Sequence, residues 1–146
     1  MITTVKYPVA VAAIFLWLGF VLAISFMEAW LKFRAPGVTV PIGLGIGRLV
    51  FSALNKVEWI LAILIFINIL YLKTAVFTIE NVFFFIPLLL LLVQTTWLLP
   101  ALDVRANLHI NGQDVPPGNL HLYFIGAEII KVICLFTFGI SLFKFK

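Results

Sequence analysis

Four long apolar runs, separated by short polar segments, constrain this chain more than any other feature, because each approaches the roughly 20 residues needed to cross a bilayer. A soluble domain needs polar residues to cover itself. Here 64% of residues are hydrophobic and only 11% are charged, and the mean hydropathy is +1.19, well outside soluble composition. Four spans use more than half of the 146 residues, which leaves no room for a soluble catalytic domain. The sequence therefore predicts an all-α fold: an integral membrane four-helix bundle, one domain over residues 1–146, with spans near 8–31, 46–72, 80–99 and 120–143.

The net charge of +4 suits Lys and Arg anchored at membrane interfaces. No basic run that could track phosphates is present, so nucleic acid is not an expected partner. The lipid bilayer is. Cys134 is the single cysteine, which excludes an internal disulfide, and its apolar surroundings make it a small buried hydrophobe.

Lys6 ahead of the first run resembles the start of a signal peptide. The apolar core is longer than the roughly 7–15 residues of a signal sequence, however, and no small-x-small cleavage site follows it. It reads as a retained span, ended by Pro36 and Gly37. A Gly/Pro-rich segment then leads into the second span. Its Gly43, Gly45 and Gly47 invite a dinucleotide-fold reading, but Arg48 and Val50 stand where a further glycine is required. Small residues that let a helix start pack closely on a neighbour are the better account. The apolar core at 57–72 is short for a bilayer, so this helix starts near Gly45 or Gly47 and carries Arg48, Ser52, Asn55 and Glu58 as a polar stripe. Lys73 closes it. Thr78, Glu80 and Asn81 suit the first turn of the third span, which ends before Pro100 with Gln94 to Thr96 in its last turns. Asp103, Arg105, His109 and Asp114 fall in a polar loop, and His121, Glu128 and Lys131 lie on the fourth span.

Chain direction alternates across a bundle, so one end collects Glu28, Lys32, Arg34, Arg48, Asn55, Glu58, Gln94, Asp103, Arg105, His109, His121 and Glu128. Lys131 lies about 16 Å into the fourth span, near the bilayer centre. A charge there costs about 2.5–3.5 kcal/mol on insertion scales, so Lys131 needs a partner or a shifted pKa. Glu128 at i−3 supplies the opposite charge. The simplest interior is a single ion network of Glu28, Arg48, Glu58, Glu128 and Lys131, with Asn55 and Gln94 completing hydrogen bonds. The bland reading of Lys32, Arg34, Lys56 and Arg105 is as interface anchors, and that of His109 is a solvated loop residue. Asn68 reads as an interhelical hydrogen bond, and Trp30, Trp59 and Trp97 as an interfacial belt.

The stretches Phe26-Met27-Glu28-Ala29-Trp30, Gly47-Arg48-Leu49-Val50-Phe51 and Leu120-His121-Leu122-Tyr123, with Glu128 and Lys131, resemble a small four-span membrane family of unknown function that includes vertebrate transmembrane protein two-hundred-and-five. The resemblance runs along nearly the whole chain. It implies a four-helix membrane protein; one family member is associated with drug resistance, and no settled activity carries over. The Gly-rich lead-in and Asn55-Lys56-Val57-Glu58 depart from the pattern.

Three function classes remain open. The first binds or transports a small ionic or amphipathic ligand at Glu28, Arg48, Asn55, Glu58, Gln94, His121, Glu128 and Lys131, and works as a homo-oligomer or with a partner membrane subunit, because four spans leave little interior for a private pore. The second is an oxidoreductase subunit holding metal or haem through His121, His109, Glu128 and Glu28, with Glu58 a further carboxylate; those donor types suit zinc or iron. No metal-binding motif is present, and no cofactor is expected. The third is a structural accessory subunit whose ion pairs fix helix register. The first is favoured. An enzyme is the less expected outcome. The expected location is a bacterial cytoplasmic membrane with both termini on one side. Lys32, Arg34, Arg48, Lys56 and Arg105 outnumber Lys6, Lys73, Lys144 and Lys146 by one, a slim bias toward a cytoplasmic polar face.

Overall fold

The computed structural model describes residues 3–71 and 78–145. The end of the second span at residue 72, its closure by Lys73, and Lys146 lie outside the described residues. Four helices account for most of the rest: α1 Pro8–Arg34, α2 Val40–Tyr71, α3 Ile79–Ile110 and α4 Leu120–Ser141. Each is long and apolar enough to cross a membrane. The fold is an all-α four-helix bundle.

Local chemistry sets the boundaries. Pro8 opens α1, where its missing N–H costs nothing. The helix ends in a tightened turn at Lys32–Arg34; Ala35 before Pro36 is extended and Gly37 takes φ +81°. Thr39 accepts from the Ile42 N–H at 3.5 Å, so α2 starts several residues earlier than the sequence predicts. At 32 residues it is about 48 Å long, more than a hydrocarbon layer needs. Thr78 caps α3 by accepting from the Asn81 N–H at 3.3 Å, with Glu80 in the first turn, the arrangement that helix starts favour.

The end of α3 departs from the sequence reading. The helix continues through Pro100 to Ile110, so Asp103, Arg105 and His109 are helical residues rather than loop residues. Proline is tolerated because Gln94–Leu98 widens into a π-helical turn just before it. There the Leu99 N–H reaches back five residues to the Gln94 carbonyl, relieving the clash between a proline ring and the carbonyl four residues earlier. The Thr95 and Thr96 hydroxyls donate to the Leu91 and Leu92 carbonyls at 2.7 and 2.8 Å. A second π-helical segment, Leu22–Glu28, interrupts α1.

The helices form a ring in which α1 packs on α2 and α4, and α3 on α2 and α4. The core is formed by Ile14, Trp17, Val21, Leu61, Ile65, Ile69, Phe84, Leu91, Leu135, Phe138 and Leu142. Gly139 admits α1 closely: a Cβ there would sit 3.1 Å from Ile14. Cys134 is buried. Outside, Leu16, Leu49, Ile63, Ile67, Leu89, Ile133 and Phe136 are exposed, as a lipid-facing wall requires.

One end of the bundle is clasped. Strand β1, Thr3–Val5, pairs antiparallel with β2, Phe143–Phe145, in the register Thr3 with Phe145 and Val5 with Phe143, and the Lys6 N–H donates to the Leu142 carbonyl at 3.0 Å. Lys6 Nζ also pairs with Glu80 Oε2 at 3.0 Å. Burial alone would lower the Lys6 pKa, but the hydrogen bond to Glu80 and the neighbouring charges hold it above its ordinary value. Asn68 makes the interhelical bond its position suggests: its Oδ1 accepts from the Ala10 N–H at 3.2 Å, satisfying a donor of the first turn of α1 that has no partner within the helix.

Candidate functional site

Midway along α4, Lys131 is fully buried between two carboxylates. Its Nζ lies 2.5 Å from Glu58 Oε1 on α2 and 2.8 Å from Glu128 Oε1 one turn back on its own helix. Relative exposures are 0% for Lys131, 1% for Glu128 and 3% for Glu58. Ions so deep survive only when paired and hydrogen-bonded. Glu128 Oε1 also accepts from Gln94 Nε2 at 2.6 Å, and its Oε2 accepts from Ser25 Oγ at 2.7 Å. Glu58 Oε1 accepts from Trp17 Nε1 at 2.8 Å. All four helices thus meet at this triad. Ser25 and Gln94, which supply the neutral donors to Glu128, both sit on the π-helical turns. Widened turns of this kind redirect side chains and recur at functional sites.

Toward the end opposite the strand clasp lies a cavity of ≈ 440 Å³. Phe51 and Phe124 stack edge to face with centroids 5.3 Å apart on its wall, and Leu99, Leu102 and Phe33 extend the apolar lining. Lys32, Arg48, Ser52, Asn55, Thr95, Asp103 and His121 supply its polar groups. Arg48 donates to Asp103 through Nε to Oδ1 and through Nη2 to Oδ2 at 3.0 Å, while Nη1 reaches Asn107 Oδ1. Lys32 pairs with Glu28 at 3.1 Å and lies over the Phe33 and Phe51 rings at 5.4 and 5.6 Å. Gly43 and Gly47 make this approach possible. A Cβ at Gly43 would overlap the Phe33 ring, and one at Gly47 would meet Lys32 Nζ at 3.3 Å.

Between cavity and triad, Thr95 Oγ1 receives both Asn55 Nδ2 and Trp59 Nε1 at 2.9 Å. Asn55 and Thr95 line the cavity. Glu58 lies one helical turn beyond Asn55, and Gln94 is the neighbour of Thr95.

The expected single network is thus three separate ones. Glu58, Glu128, Lys131 and Gln94 form the buried triad and its amide donor; Arg48 turns to Asp103 and Asn107; Glu28 turns to Lys32. A spacing of ten residues along α2 puts Arg48 about 15 Å from Glu58 in helix rise, too far to share a partner. Lys32 is a cavity residue rather than a plain anchor. Arg34 lies over Trp30 at 4.7 Å, and Arg105 donates to the Pro116 carbonyl at 2.7 Å. Sequence pattern does not single out Trp17, Ser25 or Asn107 as partners; the apolar surroundings of the first run conceal Trp17 and Ser25.

The residues considered for metal do not converge. Glu128 is engaged with Lys131, Glu28 with Lys32, and His109 and His121 are exposed. Among the described residues, no group of three His, Cys, Asp or Glu side chains could hold an ion. No protein-family model, curated protein or solved structure matches the chain.

Proposed function

We propose that this small multi-pass membrane protein binds a small amphipathic ligand in the cavity beside Arg48, with the polar head toward Lys32, Arg48 and His121 and the apolar body against Phe51, Phe124 and Leu99. The cavity carries this reading. Its volume lies in the range of ordinary ligand sites, roughly 300–1,000 Å³, and it combines apolar walls with a few convergent polar groups. Lys32 lines it with one of its three N–H donors turned to Glu28, which leaves donors for an anionic head. A chain of this size carries out transport as a homo-oligomer or beside a partner subunit, with both of its ends on one side of a bacterial cytoplasmic membrane.

The test uses decanoate and decylammonium as probes on protein reconstituted in lipid nanodiscs. Decanoate should raise the unfolding midpoint and decylammonium should not. Ser52→Phe, which obstructs the cavity from an exposed position, should abolish the decanoate shift, and Lys32→Met should weaken it. If decanoate stabilises wild type and Ser52→Phe alike, the cavity reading fails.

The triad favours a second reading. A fully paired ion cluster joining all four helices is also what a scaffold subunit needs to fix its register. Absence of any probe response, with intact folding, would leave that reading standing.

A further inference from the structure

Two carboxylates share one ammonium at the centre of the bundle, and no other charge among the described residues balances the second. Trp17 faces Glu58 from α1 and Gln94 approaches the triad from α3; neither titrates. The charged groups facing Glu58 are Lys131 and Glu128, both on α4. A lone carboxylate charge in such burial is costly and is relieved by taking up a proton.

The hydrogen bonds distinguish the two acids. Glu128 uses both oxygens as acceptors: Lys131 and Gln94 converge on Oε1, and Ser25 donates to Oε2. Three donors spread over two oxygens are what an ionised carboxylate requires. At Glu58 both donors, Trp17 Nε1 and Lys131 Nζ, reach the same oxygen, Oε1. That pattern suits a carboxylic acid whose Oε1 is the carbonyl and whose Oε2 carries hydrogen. We propose that the triad is a proton-binding site in which Glu58 holds one exchangeable proton on Oε2 while Glu128 and Lys131 form the ion pair. It stands apart from the cavity reading and holds whether or not a ligand binds there. Asn55, one turn from Glu58 along α2, lines the cavity.

The experiment is infrared spectroscopy of the reconstituted protein at neutral pH in H2O and D2O, reading the carbonyl stretch of a protonated carboxyl group. Wild type should show one such band, shifted by deuterium. Glu58→Gln, an isostere of the protonated acid, should fold normally and lose the band. Glu128→Gln should lose it too, because Glu58 then ionises against Lys131. Lys131→Met should raise its area about twofold, since both desolvated acids then take up protons. Absence of the band from wild type, or its survival in either glutamine variant, would overturn the proposal. The carbonyl frequency assigns the band: with the proton on Glu58, Trp17→Phe, which removes a donor to its Oε1, should raise the frequency while Ser25→Ala, which removes a donor to Glu128, should leave it in place, and the reverse would overturn the assignment.

Discussion

At the residue scale, Glu58, Glu128 and Lys131 are held by neighbours that leave little slack. Trp17 is the clearest case: its indole N–H meets Glu58 at 2.8 Å while the side chain is fully buried. Trp17→Phe keeps most of the packing and removes that donor, so it should cost about 1–3 kcal/mol of stability in reversible denaturation. Lys131→Met goes further. It leaves two acids face to face without a cation, and breaking a buried pair in this way costs about 3–5 kcal/mol. In the unfolded chain these acids are ionised at neutral pH, so acidification, which neutralises them there, should bring the unfolding midpoint of this variant back toward that of wild type. A midpoint insensitive to pH would count against the triad geometry. The sequence showed the Glu128–Lys131 pair directly, because their spacing is one helical turn. It could not show Trp17 or Ser25, since a tryptophan or serine in an apolar run looks the same whether or not it meets an ion.

At the scale of elements, two departures from regular helix shape the polar centre. Pro100 reads as a terminator because proline usually ends a helix, and that reading makes Asp103 and His109 loop residues. The π-helical turn absorbs the proline instead and carries the helix on, bringing Asp103 and Asn107 against Arg48. The stretch 88–93, just before this turn, is apolar on every side, so the phase shift of one added residue has no stripe to show against, which is why this turn was hidden. Pro100→Ala removes the cause. The turn should then relax toward regular α geometry and rotate Gln94 away from Glu128, with a loss of about 1–3 kcal/mol. The glycines in the first turns of α2 were legible as a close-packing surface, and the Phe33 ring against Gly43 shows what they accommodate. Gly43→Ala should destabilise by about 1–3 kcal/mol through overpacking. Phe33→Ala in the same chain should restore part of the loss, a coupling that a double-mutant cycle measures.

For the whole molecule, the apolar runs were enough to predict four helices able to cross a membrane, though not where the second begins or the third ends. Arginine at an outward position should impair insertion: Ile133→Arg, on the exposed face of α4, adds about 2.5–3.5 kcal/mol near mid-span. A glycosylation-reporter insertion assay reads this directly. The clasp between Lys6 and Glu80 should matter far less, about 0–1 kcal/mol, because both side chains are partly solvated. Its sign in pH is fixed. The folded-state pKa of Lys6 is raised, so the contribution is complete below the ordinary lysine value near 10.5 and disappears as pH climbs past the folded one.

Pairing residues 3–5 with 143–145 makes hydrogen-bonded neighbours of the segment that opens α1 and the segment that follows α4. The ring of helices is thereby latched at one end, so neither its first nor its last member can peel away without drawing the other with it.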